Sequence, residues 1–164
     1  MSYTPSQTVG WTHIETVTLA NQANVEMDLV GTRALYAIHL SDIIPITDAT
    51  ELLLRLSTDG GTTFLSGATD YSWFFRGASE SSSQYSAAAT SDTEISITAD
   101  AGAGGALMGI STAESLNGWI YFYNSKQATK VTNVSTNIAM REDSTLYTHT
   151  GAAALKANID IIDA

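Results

Sequence analysis

Residues 116–123 read Leu-Asn-Gly-Trp-Ile-Tyr-Phe-Tyr, and this stretch decides which fold the chain can adopt. Successive side chains of a β-strand point to opposite faces, so Trp119, Tyr121 and Tyr123 share one face and the apolar residues between them share the other. A strand that is apolar on both faces is either covered on both sides or contacts a partner. We therefore predict a central strand and treat its aromatic face as a candidate contact between subunits.

The same two-residue alternation runs through most of the chain. Val25, Met27 and Leu29 alternate with acids, and Ile95 and Ile97 alternate with polar residues. Many short strands separated by turn residues are typical of two packed antiparallel sheets. We predict an all-β fold, an antiparallel and jelly-roll-like β-sandwich of eight to ten strands, at about residues 11–19, 24–30, 35–41, 50–57, 70–76, 93–98, 116–123, 130–141, 145–150 and 157–162.

Helix signals are nearly absent from the chain. The spacing Ser111-Thr112-Ala113-Glu114 matches a capping box and predicts about one helical turn. We predict an N-terminal arm at residues 1–10 and a single sandwich domain at residues 11–164. Two stretches rich in Ser, Ala and Gly, residues 77–92 and 99–109, are predicted to be long loops within that domain.

The composition of the chain excludes several classes of protein. The 164 residues carry a net charge of −10, with no cysteine and only 15% charged residues, while Ser and Thr together account for 40 positions. Seven basic residues without a cluster argue against nucleic acid and against an anionic membrane as partners. No stretch is apolar enough to span a membrane, and the start lacks the pattern of a secretory signal. We expect no disulfide framework and no cofactor.

The sharpest local motif is Ser57-Thr58-Asp59-Gly60-Gly61-Thr62-Thr63-Phe64. It has the spacing of the Asp box found in sialidase propellers and other folds. An Asp in this position can accept main-chain N–H bonds within the turn, and the two glycines permit positive φ. We interpret Ser57, Asp59, Gly60, Gly61, Thr63 and Phe64 as a hairpin turn with a structural role, in which Phe64 returns to the core.

Residues capable of chemistry are scattered along the sequence. His13, His39 and His149 lack the close spacing of a helical metal site, and we expect them on strand surfaces or in cross-strand pairs. No pair of acids stands out for hydrolysis by two carboxylates. Carbohydrate binding remains an alternative, because aromatic residues on a sandwich can stack on sugar rings. The available aromatic residues are Trp11, Trp73, Trp119, Tyr85 and Tyr147, of which Trp73 and Trp119 are expected in the core.

Between Leu35 and Gly77 the chain resembles small β-sandwich virion proteins of tailed bacteriophages. The resemblance rests on the run 36–45 (YAIHLSDIIP), on the leucine-rich strand and turn 52–64 (LLLRLSTDGGTTF), and on Tyr71-Ser72-Trp73. Residues 118–122 (GWIYF) fit the pattern weakly. The resemblance implies a jelly-roll-like module in the particle, without catalysis, acting as capsid decoration or as a head or tail fibre component. It implies no defined set of binding residues.

The resemblance and the composition lead to one favoured expectation. The chain is expected to be a non-enzymatic, homo-oligomeric surface module of a tailed-phage virion, with a trimer as one option. Its partners would be copies of itself and other virion proteins such as the capsid shell. It would be located in the virion after assembly in the host cytoplasm. The alternative is a carbohydrate-binding module that acts in receptor recognition.

Overall fold

The computed structural model describes residues 10–31, 33–81, 83–98, 107–125, 130–143 and 145–156. Within these residues the chain forms eight strands and no helix, which confirms the predicted all-β class and the predicted strand number. None of the described residues forms a helix long and apolar enough to cross a membrane. The strands are β1 (Leu35–Ile43), β2 (Leu53–Leu54), β3 (Tyr71–Ser79), β4 (Gln84–Asp92), β5 (Ile95–Ser96), β6 (Leu116–Tyr123), β7 (Asn133–Glu142) and β8 (Thr145–Leu155).

Six of these strands form one antiparallel sheet in the order β1-β6-β7-β8-β3-β4. Strands β6, β7 and β8 are consecutive in sequence and adjacent in the sheet, and β3 and β4 form a hairpin at one edge. The prediction that residues 116–123 form a central strand is confirmed, because β6 pairs with β1 on one side and with β7 on the other. The remaining two strands, β2 and β5, pair only with each other.

One face of the large sheet is the core face. The register aligns a row of side chains that crosses all six strands and points to this face, and most of its members are apolar. This row consists of Tyr36, Phe122, Val134, Ala153, Trp73 and Ala89. The second layer lies on the same side, since Leu56, Ile95 and Ile97 belong to the same buried cluster as Phe122 and Val134. Burying these side chains removes apolar surface from water and is the main source of stability.

The aromatic residues of β3 pack between small residues on both neighbouring strands. Trp73, Phe74 and Phe75 lie opposite Ala89, Ala88 and Ala87 of β4. On the other side the same three residues lie opposite Ala153, Ala152 and Gly151 of β8. Large side chains flanked by small ones fill space without steric conflict, which is how dense packing is reached in a protein interior. The alanine-rich segments are therefore strands that complement β3.

This pairing corrects the prediction of a loop at residues 77–92. These residues form the end of β3 and the whole of β4, with a turn near Glu80. Ser, Ala and Gly indicate a loop when they are considered alone, but beside a strand of aromatic residues they supply the space that the rings need. Of the second predicted loop, 99–109, residues 99–106 lie outside the described part, and Met108 forms an isolated bridge with Thr50.

The strand predictions for residues 11–19 and 24–30 were wrong. Residues 10–31 form no strand, and most of their side chains are exposed, although Leu29 is buried. Alternation shows which side chains favour burial, but a strand also requires a neighbouring strand for its main-chain hydrogen bonds. Strands predicted at 50–57 and 93–98 shorten to two residues each in β2 and β5. The strand predicted at 157–162 and nine of the ten residues of the predicted arm 1–10 lie outside the described residues.

An aromatic cluster anchors the end of the sheet at β4. Tyr85 lies opposite Gly77 in the register, and a Cβ at Gly77 would collide with the Tyr85 ring. Phe75 packs edge-on to Tyr85 at 6.2 Å between ring centroids, and Tyr147 does the same at 6.1 Å. The Tyr85 hydroxyl donates to the Thr148 carbonyl oxygen at 3.2 Å. The missing side chain of Gly77 is therefore what allows Tyr85 to cover the sheet here.

A Gly77→Ala substitution should destabilise the protein by about 1–3 kcal/mol, because the added methyl group forces Tyr85 out of its position. Urea unfolding measures the change. In a Tyr85→Ala background the same substitution should cost little, since the colliding ring is gone. An equal loss of stability in both backgrounds would contradict this account of the cluster.

Candidate functional site

The outer face of the sheet, opposite the core face, is a candidate contact surface. None of its paired residues is an acid, although the chain has 17 acidic residues. Arg76 and Arg141 are the basic residues among them. The full set of paired residues is Leu35, Ala37, His39, Asn117, Trp119, Tyr121, Tyr123, Asn133, Ser135, Asn137, Ala139, Arg141, Leu146, Thr148, Thr150, Ala152, Ala154, Ser72, Phe74, Arg76, Ala78, Gln84, Ser86 and Ala88.

An aromatic stripe, defined as His39, Trp119, Tyr121 and Tyr123, crosses the β1–β6 side of this face. The His39 ring stacks on Trp119 with 4.4 Å between centroids and 30° between planes. Trp119 and Tyr121 are nearly parallel, at 6.1 Å and 15°. Trp119 and Tyr123 are each 40% exposed. The stripe therefore presents a large aromatic surface to solvent on a strand that is hydrogen-bonded on both sides.

The N-terminal segment approaches the stripe from outside the sheet. Trp11 lies 6.4 Å from Tyr121 between ring centroids, and it is 67% exposed. The chain returns to β1 at a turn held by Tyr36, whose buried hydroxyl donates to the carbonyl oxygen of Gly31 at 2.8 Å and accepts from the main-chain N–H of Arg33. Residues 10–31 are thus tied down at their C-terminal end, next to β1.

The candidate subunit contact Trp119, Tyr121 and Tyr123 lies on one face, as the alternation of residues 116–123 predicts. The expectation that Trp119 belongs to the core was wrong, because the apolar residues of its strand occupy both faces and Ile120 and Phe122 are the buried set. Trp73 does pack against the core, and its indole N–H donates to Asp92 at 3.0 Å. Trp119 and Tyr123 are exposed and Tyr121 is partly buried, and the role of the three residues as a subunit contact stays a prediction.

Two shallow hollows lie beside Arg76 on the outer face. One, of about 370 Å³, is lined by Phe74, Ser86 and Ala88 among others. The other, of about 420 Å³, is lined by Thr148, Thr150 and Gln84 among others. Sequence reasoning did not single out Arg76 or the half-exposed Phe74. The alternation along β3 could have identified them, since it places both residues on the face opposite Trp73 and Phe75.

The turn at residues 57–64 is closed by side-chain hydrogen bonds to the main chain. Ser57 Oγ accepts from the N–H of Gly61 at 3.0 Å and donates to Asp59 Oδ1 at 2.8 Å. The same carboxylate oxygen accepts from the N–H of Thr63 at 2.8 Å. Gly60 and Gly61 both have positive φ, at 69° and 80°. Ser57 and Phe64 form the bridge that ends the hairpin.

These hydrogen bonds favour the ionised form of Asp59. The main-chain N–H of Thr63, followed by the hydroxyl of Ser57, lowers the pKa of Asp59 below its ordinary value. The interior contact of this hairpin comes from Leu65 and Leu56 rather than from Phe64, because Leu65 is the residue that packs against the core. The geometry is that of a structural turn, with the carboxylate bound to the chain that surrounds it.

The three histidines lie in separate environments. His13 bonds to the Thr16 hydroxyl at 2.8 Å on the exposed segment, and His39 belongs to the aromatic stripe. His149 is fully buried, so the expectation of a surface position was wrong for this residue. Among the described residues there is no group of three or more His, Cys, Asp or Glu placed to hold a metal ion.

His149 lies within the aromatic cluster of β3, β4 and β8. Its ring centroid is 5.3 Å from that of Phe75 and 5.2 Å from that of Tyr85. Neither ring nitrogen has a hydrogen-bond partner. Burial therefore lowers the pKa of His149 to about 4, since an imidazolium ion would lose its hydration there. Burial also raises the pKa of Tyr85, which remains a neutral hydrogen-bond donor.

Ser57→Ala should destabilise the chain by about 1–3 kcal/mol, since it leaves main-chain N–H groups of the turn without their buried acceptor. Chemical denaturation measures this loss. Thr62→Ala, at an exposed position of the same turn, is the matched control and should change stability little. Equal losses in the two variants would show that the Ser57 network does not stabilise the turn.

Stability should fall in mild acid because of His149. Its folded-state pKa lies below the ordinary value of 6.5, so protonation favours the unfolded chain. The contribution is intact above pH 6.5 and is lost as the pH falls towards 4, by up to roughly 3 kcal/mol. Urea unfolding at pH 7 and pH 4.5 should show a smaller acid loss for His149→Leu than for the parent chain. The exposed His39→Gln control should keep the full loss, and an unchanged loss in His149→Leu would contradict the assignment.

Comparison with known protein families, curated proteins and solved structures finds no match to this chain. The similarity to phage virion proteins therefore rests on the quoted motifs alone.

Proposed function

We propose that this chain is a non-enzymatic structural protein of a tailed-phage virion. It acts as an oligomeric surface module, either as capsid decoration or as a head or tail fibre component. The observation that carries the proposal is the outer face: a wide, hydrogen-bonded sheet surface without acids among its paired residues, with an exposed aromatic stripe at one side. Its partners are copies of itself and the proteins of the particle.

Charge supports a contact role for this face. The chain has a net charge of −10, so copies repel one another wherever their acidic surfaces meet. A face without acids among its paired residues can approach another molecule without that repulsion. Depletion of charged residues and enrichment of aromatic residues are the compositional signs of a protein interface. Trp119, Tyr121 and Tyr123 supply the aromatic part.

The N-terminal segment gives independent support. Residues 10–31 expose several large apolar side chains: Trp11, Ile14, Val17, Leu19, Val25 and Val30. Trp11 places the segment beside the aromatic stripe. Large exposed apolar patches mark interaction sites, and these six side chains all lie within residues 11–30. Segment and stripe together form a contact region suited to a subunit or a shell protein.

The alternative function, carbohydrate binding, needs aromatic rings whose faces are open to a sugar. Tyr85 is 8% exposed and is enclosed by Phe75 and Tyr147. One face of Trp119 is covered by His39. These contacts favour a protein partner over a glycan for Tyr85 and for the covered face of Trp119.

Electron microscopy of phage particles assembled with and without this chain tests the function. Density that is present only when the chain is supplied, together with detection of the chain in purified particles by mass spectrometry, is the expected result. Particles that are identical in both preparations would refute the proposal.

Trp119→Ser combined with Tyr121→Ser should reduce incorporation into particles at least about tenfold, because hot-spot aromatic residues carry most of the binding energy at an interface. Mass spectrometry of purified particles measures incorporation, and circular dichroism verifies that the variant is folded. Ile46→Ser, at an exposed apolar residue outside the sheet, is the control and should leave incorporation unchanged. Equal incorporation of both variants would remove the stripe from the contact.

A further inference from the structure

Strand β4 ends the six-stranded sheet and has one free side. Within the described residues it pairs with β3 alone, so the main-chain N–H and C=O groups that point away from β3 lack a strand partner. Residues 84–89 pair with β3 without interruption. An exposed edge strand of this length is a template for pairing with another chain, and proteins usually protect such edges.

Strand β1, at the opposite edge of the sheet, carries features that block pairing with another chain. In β1 the register shifts between Leu40 and Ile43, and Asp42 adopts a positive φ of 55°. The N–H of Asp42 donates to the side chain of Asn117 instead of pointing to the free edge. A bulge and a charged residue are recognised means of blocking an edge. Both are present in β1.

Strand β4 carries the same two features only at its far end, in the register shift between Ala89 and Asp92 and in the charged Asp92. Residues 84–89 carry neither feature, like the regular residues 35–40 of β1. The sequence from Gln84 to Ser91 contains no charged residue and no proline. The irregularity of β4 lies beyond Ala89, where Lys156 bonds to the carbonyl oxygen of Thr90 and to the hydroxyl of Ser91. In a chain of net charge −10, this neutral edge is a place where a second copy can approach without charge repulsion.

We propose that β4 is a self-association edge, at which β4 of one copy pairs antiparallel with β4 of a second copy and joins two six-stranded sheets into one continuous sheet. A second copy is the partner that the strand fits, because an antiparallel copy offers an equally long, neutral and regular set of N–H and C=O groups. The two-fold axis of such a pair is perpendicular to the sheet. Both outer faces therefore lie on the same side.

This inference deepens the self-association part of the proposed function. The dimer would present two aromatic stripes in the same direction, one towards each end of the joined sheet. Two contacts on one rigid body bind with greater avidity than either contact alone. The β4 edges form the dimer interface, and the two outer faces remain free to contact other proteins of the particle.

The symmetry of the pair allows a sharp test. Directly opposed residues of an antiparallel pair lie on the same face, and Ser86 and Ala88 are both exposed on the outer face. A central two-fold axis places Ser86 opposite Ser86, Ser86 opposite Ala88, or Ala88 opposite Ala88. In each arrangement, lysine at both positions creates like-charge pairs across the new interface.

The experiment compares the parent chain with the double variants S86K/A88K and S86E/A88E by sedimentation velocity over a range of concentrations. The parent chain is expected to contain a dimer, and each double variant should raise its dissociation constant at least about tenfold. An equimolar mixture of the two variants should restore the dimer, because opposite charges then face each other. The control T62K/S66K adds the same charges at two exposed residues outside the sheet, and should leave the dimer intact.

Hydrogen exchange adds a readout at the strand itself. Main-chain amides of β4 that point to the free edge should exchange more slowly at high protein concentration in the parent chain but not in S86K/A88K. A parent chain that stays monomeric, or double variants that dimerise as well as the parent chain, would overturn the inference, as would a mixture that fails to recover the dimer. Particles that lack the chain would instead refute the proposed function and leave the edge pairing standing.

Discussion

The register of β6 against its two neighbours is the constraint on which both faces of the sheet depend. Side chains alternate along a strand, so a slip of one residue would exchange Ile120 and Phe122 with the aromatic stripe. Two features fix the register. Gly118 leaves room for the Ile138 side chain of β7, and a Cβ at this position would collide with it and with the Asn137 carbonyl. At the bulge of β1, Asn117 holds the N–H of Asp42 at 2.9 Å.

The fixed register keeps the acids of the molecule off the paired residues of the outer face. The exposed paired residues of the outer face are mainly hydroxyls, amides, alanines and aromatic rings, and its charged residues are Arg76 and Arg141. Strand β8 shows this most clearly, since Thr148, Thr150 and Ala152 point outward in succession. Hydroxyls and amides cost less to desolvate than ions do, provided that the covering partner supplies hydrogen bonds to them. Solubility is then left to acids elsewhere in the chain.

The sequence was sufficient to predict the class of the fold and the position of its longest strands, because Ile120, Phe122, Val134 and Ile138 alternate with residues that tolerate exposure. It misjudged β4, whose alanines are strand residues only because Trp73, Phe74 and Phe75 lie beside them. That complementarity connects segments that are close in sequence for β4 but about 80 residues apart for β8. No pattern within a single segment of the sequence predicts this complementarity. The strand prediction for the exposed N-terminal segment was wrong for the opposite reason. Its apolar and polar side chains do alternate, but no strand of the described sheet pairs with it.

The candidate site shows the same division between local and long-range information. The turn at Ser57–Phe64 could be predicted apart from the core contact expected of Phe64, because its hydrogen bonds join residues no more than four positions apart. The stack of His39 on Trp119 joins residues 80 positions apart, and neither side chain alone distinguishes a surface pair from a core pair. The burial of His149 likewise follows from Gly77 and Tyr85 on other strands.

The aromatic cluster links the interior of the protein to its free edge. Strand β4 has a single neighbouring strand, so its position depends on β3 and on the side chains that hold it from the core face. Tyr85 is the largest of these, and it packs against Phe75, Tyr147 and His149. A strand that must offer its main-chain groups to a partner has to be rigid before the partner arrives, since ordering it on binding would weaken association. For the pairing of β4 proposed above, the buried cluster is the part of the interior that would hold the strand in place before a partner arrives.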